Sequence, residues 1–216
     1  MKLSGRQIQI KKLLSLLLMS GLLVSCQKEI NGSSDPSIIV PVPTNQKPKV
    51  GTIWTYRYYT FYAFGGSGLA TSDVLKLVAK NEEVYGGDKY LNIVNQATDT
   101  TVFLLGAKPD GLYRYDKISG TGSLFCKAPA AVNDTYTSTI LGAPENFIVK
   151  NVQDSFPTGI GTVLANYYEG SKTGNLVDEV WYNENIWIAL HKVHRFYELN
   201  HTYYRYSTLA LDNIAY

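Results

Sequence analysis

From residue 50 onward, apolar and polar residues alternate in short runs rich in Val, Ile, Thr and aromatics, and Gly, Pro, Asn and Asp interrupt the runs. A period of two is the signature of strands with one face inward. It predicts strands at 52–63, 71–80, 89–95, 101–105, 111–115, 123–127, 135–140, 147–153, 162–168, 179–182, 186–197 and 202–214. The breaks carry turn residues: Gly65-Gly66-Ser67-Gly68, Gly86-Gly87-Asp88, Pro109-Asp110-Gly111, Gly120-Thr121-Gly122, Pro157-Thr158-Gly159 and Asn183-Glu184-Asn185. Connections this short cannot hold crossover helices, so neighbouring strands should run antiparallel. The fold expected is all-β: an antiparallel meander forming an open half-barrel or strongly bent sheet, with a β-sandwich as the alternative.

The first strand alternates most clearly. Trp54, Tyr56, Tyr58 and Tyr62 fall on one side, and Ile53, Thr55, Arg57, Tyr59 and Phe61 on the other. The even side is nearly all aromatic and is expected to be the core face or the wall of a concavity. Near the C-terminus the alternation puts Ile186, Ile188 and Leu190 on one face and Trp187, His191 and Arg195 on the opposite one.

The first 49 residues follow another pattern. Lys2, Arg6, Lys11 and Lys12 precede an apolar stretch at 13–24 with no acidic residue, the layout of a secretory signal peptide at 1–25. That stretch is shorter than the ~20 residues a membrane-crossing helix needs. Residues 27–49 are polar and carry Pro36, Pro41, Pro43 and Pro48, the composition of an extended, semi-stiff tether. One all-β domain at 50–216 follows.

Leu23-Val24-Ser25-Cys26 resembles the lipobox of bacterial lipoproteins. The resemblance implies that Cys26 is lipidated, becomes the first residue of the mature chain, and holds it to a membrane through several acyl chains, a stable anchor. Gln27-Lys28-Glu29 resembles the export signal of surface-exposed lipoproteins of the Bacteroidota, with a single acid before Ile30. It implies the outer membrane, on its periplasmic or cell-surface face. Val50-Gly51-Thr52-Ile53-Trp54-Thr55-Tyr56, Asp110-Gly111-Leu112-Tyr113 and Glu179-Val180-Trp181-Tyr182 resemble small lipoproteins of the Bacteroidota, similar in turn to periplasmic half-barrel proteins. This chain departs from their Val-Gly-Leu-Val stretch at Asn185-Ile186-Trp187-Ile188, and the resemblance brings no catalytic motif.

Loss of the signal peptide changes the charge picture. The whole chain is formally +2, but the remainder holds 16 Lys and Arg against 18 Asp and Glu. No basic footprint for nucleic acid is left. With Cys26 lipidated, Cys126 has no disulfide partner, and its apolar neighbours Leu124 and Phe125 mark it as a buried, inert thiol. All 17 Tyr lie in the domain, and their apolar bodies and polar tips suit partly wet sheet faces.

Candidate chemistry is sparse, and no cofactor or metal is expected. His191 and His194 are the closest histidines, with His201 downstream; on a strand positions 191 and 194 face opposite sides, so one metal would need a bulge between them. Gly65-Gly66-Ser67-Gly68-Leu69 lacks the last glycine of a nucleophile elbow and the Lys-Ser/Thr ending of a phosphate loop. Asp178-Glu179 could give one carboxylate of a glycosidase pair, with Glu145 or Glu198 as the other. Asp99-Thr100-Thr101 matches a short O-glycosylation sequon of the Bacteroidota. Rings exposed on a concave sheet would bind ligand, and the candidates are Tyr59, Trp187, Tyr197 and Tyr203; the competing role for each is filling the core.

Three readings follow. The first is a non-enzymatic envelope lipoprotein that binds a hydrophobic or glycan ligand or an envelope protein. The second is an extracytoplasmic hydrolase of polysaccharide, and the third a structural or assembly-accessory lipoprotein.

Overall fold

The computed structural model describes residues 46–61, 69–197 and 202–216, with side chains at 46–61, 71–195 and 205–216. The signal peptide, Cys26 and most of the tether lie outside the described residues. Twelve strands make a single antiparallel sheet: β1 Ile53–Phe61, β2 Leu69–Tyr85, β3 Asp88–Asn95, β4 Thr101–Lys108, β5 Gly111–Asp116, β6 Thr121–Lys127, β7 Thr135–Ile140, β8 Ala143–Thr158, β9 Gly161–Lys172, β10 Asn175–Asn183, β11 Trp187–Tyr197 and β12 Thr202–Ala215. They match the twelve segments that the alternation predicts, and no helix occurs among the described residues.

The sheet order is β6-β5-β4-β3-β2-β1-β12-β11-β10-β9-β8-β7. Each strand pairs with its neighbour in sequence, and β1 also pairs with β12, with Trp54 opposite Ile214. The meander thus curls into a nearly closed barrel whose one seam lies between β6 and β7. The expected open meander is therefore correct, and it closes further than a half-barrel. The turns follow their residues: Gly86 and Gly87, at φ 59° and 88°, make the two-residue turn between β2 and β3.

A round barrel of this many strands would enclose a channel. Here opposite walls meet. Phe103 of β4 and Phe125 of β6 have ring centroids 6.4 and 5.8 Å from His191 of β11, and the Tyr168 hydroxyl of β9 donates to the Lys127 carbonyl of β6 at 2.5 Å. The core runs through Trp54, Tyr56, Leu77, Leu112, Phe125, Phe147, Tyr168 and Val180. Trp54 and Tyr56 reach over β12 and donate to the Ile186 carbonyl just before β11 and the Ile188 carbonyl of β11, at 2.9 and 2.8 Å. Cys126 is fully buried, and burial pushes its thiol well above the ordinary value.

The long β8–β9 hairpin leaves the barrel wall. Its ladder is interrupted around Asn151 and Asp154, and Gln153 takes φ 52° there. Beyond this bend the hairpin crosses the outer face of β10 and β11 until the Gly159 amide donates to the Leu211 carbonyl of β12 at 2.9 Å. Phe156 packs against Trp181 beneath it, at 5.4 Å between centroids.

Candidate functional site

β2 extends past β3. The ladder between them ends with Asn95 opposite Leu77, and the Gln96 amide donates to the Lys76 carbonyl at 2.9 Å before the chain turns back toward β4. That turn is tied by its own residues. The Asn95 side chain accepts from the Ala97 amide at 2.9 Å, the Asp99 amide donates to the Asn95 carbonyl at 2.8 Å, and Asp99 sits at φ 55°. Above it, the paired β1 and β2 overhang the rim without β3 beside them.

The overhang and the turn enclose an open groove of about 720 Å³, lined by Tyr58, Asp73, Val74, Leu75, Lys76, Asn95, Gln96, Ala97 and Val102. The volume falls in the range of small-molecule sites. Tyr58, Leu75 and Val102 are partly buried against the core and form its apolar floor. Asp73, Lys76, Asn95 and Gln96 bring charge and amides to the edge. Val74 is 59% exposed, and its amide donates to the Asp73 carboxylate at 2.7 Å, which satisfies a strand edge with no strand beside it among the described residues.

The four predicted ligand-binding rings do not meet at this groove. Tyr59 is half-buried on the outer face beside Arg57, a residue away from Tyr58 and therefore on the opposite side of β1. Trp187, expected as an exposed ring, is 3% exposed. It lies on the same face as His191, as the alternation has it, but that face is the interior, and its ring stacks on Trp54 at 6.1 Å. Its indole N–H has no partner among the described residues. Tyr197 lies opposite Thr202 and Tyr203 opposite Phe196 in the β11–β12 ladder, and their side chains lie outside the described residues. The groove residue missed from the sequence is Tyr58, although the aromatic even face of β1 pointed to it.

A second cluster fills the barrel interior. Asp178 of β10 accepts a hydrogen bond from His191 of β11 and another from Glu145 of β8. Gly170 of β9 makes this contact possible, because a Cβ there would lie 2.7 Å from the Phe147 ring and 3.2 Å from the Asp178 Cβ. Arg114 of β5 faces both carboxylates from the opposite wall, with its guanidinium 5.5 and 5.8 Å from the Phe103 and Phe125 rings. Burial first, and the charge of Asp178 second, push Glu145 up to about 9. Burial also opposes ionisation of Asp178, but His191, the Glu145 hydrogen bond and Arg114 together hold it below the usual carboxylate range. His191 is thus a buried partner of Asp178.

Glu179 points the other way, onto the outer face. It accepts from Lys192 at 3.0 Å, His194 at 2.8 Å and the Tyr167 hydroxyl at 3.2 Å. Burial works against its charge, yet the His194 and Lys192 hydrogen bonds bring it down to about 2. Trp181 stands between the Tyr167 ring at 4.1 Å and the Lys192 ammonium at 4.7 Å, so both its faces are occupied. His191 and His194 face opposite sides as strand geometry dictates, and no group of three metal-binding side chains converges among the described residues. Glu198 lies outside the described residues. Comparison with protein-family models, with curated proteins and with solved structures finds no match.

Proposed function

We propose that this chain is an outer-membrane lipoprotein, anchored through Cys26, that binds an envelope ligand in the groove at the barrel rim without transforming it. The observation that carries the reading is the groove itself: an apolar floor of Tyr58, Leu75 and Val102 edged by Asp73, Lys76, Asn95 and Gln96. Such a lining suits the hydrophobic stretch of a lipid, the faces of a glycan or a side chain of an envelope protein. Among the described residues, the interior walls touch where Phe103 and Phe125 meet His191.

The rival reading, a polysaccharide hydrolase, has converging carboxylates in its favour. Glu169 and Glu179 share the Tyr167 hydroxyl, at 2.7 and 3.2 Å. Glu179, however, is held as an anion by its hydrogen bonds from His194 and Lys192 and has no proton to donate to a leaving group. Glu145 keeps its proton but touches Asp178 directly, whereas glycosidase carboxyls stand ~5 Å or more apart to admit the sugar.

The test is a lipid and glycan binding screen on the mature chain, with Tyr58→Ala and Tyr59→Ala compared on any hit. Tyr58→Ala should weaken binding about tenfold or more, as expected for a buried aromatic anchor, and Tyr59→Ala should leave it unchanged. Equal loss in both variants, or turnover of a polysaccharide, would overturn the reading. The address is tested separately: Cys26→Ala should release the chain from membranes or leave it unprocessed, and unchanged attachment would contradict the lipid anchor.

A further inference from the structure

We propose, resting on the reading of the rim groove as the binding site, that its occupant is an extended segment of a partner protein, which pairs with the open edge of β2 as a further strand.

In an antiparallel ladder, successive residues turn their N–H and C=O groups to opposite edges of the strand. The odd-numbered residues of β2 turn toward β1: the Ala79 amide donates to the Thr52 carbonyl at 2.9 Å, and the Ala79 carbonyl accepts from the Gly51 amide at 2.8 Å. Even-numbered residues turn the other way, as the Lys76 carbonyl does in accepting from the Gln96 amide at 2.9 Å. The pairing with β1 runs unshifted from Val78 to Thr71, so this parity holds along it. β3 stops at Asn95, opposite Leu77. Ser72 and Val74 therefore turn their backbone groups to the open side, where no strand follows among the described residues. Of those groups only the Val74 amide has a partner there, the Asp73 carboxylate at 2.7 Å. Residues 71–74 are all exposed, so that bond is made in water and exchanges readily for another acceptor.

Such an edge is matched by a ligand that repeats a carbonyl and an amide at every second residue, about 6.8 Å apart. An extended polypeptide has that repeat. An acyl chain has neither group, and sugar hydroxyls keep no such spacing. The groove suits the same guest. A strand laid in line with β3 above Asn95 sets alternate side chains over Tyr58, Leu75 and Val102, and the rest on the outer face, where Val74 lies opposite Arg57. Lys76 stands on that outer face with no ion pair among the described residues, and an acidic side chain opposite Val74 would be its diagonal neighbour. The guest is thus apolar inward and polar or acidic outward.

The test pans the mature chain against a phage-displayed library of short random peptides. Retained peptides should alternate apolar with polar or acidic residues, and a synthetic copy of the strongest should bind with a Kd that Val74→Pro raises about tenfold or more. The Val74 amide points away from β1, so proline there leaves that ladder whole while it removes a donor from the open edge. N-methylation along the synthetic peptide adds a readout independent of how the variant folds: it should abolish binding at every second position and be tolerated between. No retained peptide, no alternation, equal effects of N-methylation at neighbouring positions, or unchanged binding by Val74→Pro overturns the added strand. Self-association of the chain that Val74→Pro abolishes overturns it too, since the occupant is then a second copy. Lipid or glycan binding that needs Tyr58 but survives Val74→Pro, with no peptide retained, overturns this inference and leaves the groove reading standing; a chain that takes no ligand at all removes both.

Discussion

Single residues decide what this sheet can enclose. Gly122 lies under the Tyr90 ring, and a Cβ there would come 1.9 Å from the tyrosine hydroxyl. Tyr90 is 1% exposed, with Tyr85 and Tyr115 stacked above it at 4.1 Å from each other, so the ring has nowhere to move. Gly122→Ala should cost roughly 1 to 3 kcal/mol by overpacking, read as a fall in the midpoint of thermal or urea unfolding. Glu179 gives a prediction in pH. Its carboxyl is held at about 2 in the folded chain and titrates near 4.3 in the unfolded one, so the hydrogen bonds it accepts as a carboxylate stabilise fully above the latter value. That stability is lost as pH falls toward 2. Glu179→Gln should therefore lower stability at pH 6 and flatten its decline between pH 5 and pH 2, and an unchanged acid limb would contradict the assignment.

The residue scale is also where the sequence was least legible. Alternation assigned Trp54, Tyr56 and Tyr58 to one face correctly, yet it offered no means of telling the buried part of that face from its open end. Tyr58 becomes a groove wall only because β3 stops at Asn95 while β2 continues, a fact about strand length in a neighbour. Trp187 was misplaced for a different reason. The alternation grouped it with His191 correctly, but a period of two does not say which of two mixed faces is the inner one, and here the face with Trp187 and His191 is buried. The pairing of His191 with Asp178 needed the β10–β11 register, which no local pattern contains.

At the scale of elements, the strands and turns follow from period and turn chemistry, while two features come from pairing alone. The β8–β9 hairpin reads as ordinary strands in the sequence, but its bend at Gln153 carries it over the outer face of the sheet, where Phe156 covers Trp181. The seam arises because β1 takes β12 as its second partner and leaves β6 and β7 as the free edges. Ser123 is the side chain most committed to bridging them. Ser123→Ala strips the Thr139 amide and carbonyl of their partner, a loss of about 1 kcal/mol or more for each buried group left unpaired. Amides of β7 should then exchange faster while those of β10 and β11 do not. Equal acceleration across the sheet would mean that Ser123 supports the core rather than the seam.

At the scale of the whole molecule, the proposed ligand site lies at the rim of the barrel. Among the described residues, opposite walls meet through Phe103, Phe125 and His191, and Arg114, Glu145 and Asp178 lie in the interior. The overhang of β1 and β2 makes an open groove with an apolar floor and a polar edge. The most direct test is a nuclear magnetic resonance titration of the mature chain, labelled at tyrosine, with the lipid or glycan selected by the binding screen. The account predicts that the Tyr58 ring signals shift with ligand while those of Tyr113, Tyr167 and Tyr59 stay in place. Shifts centred on Tyr167 and Tyr113, with Tyr58 unmoved, would contradict it.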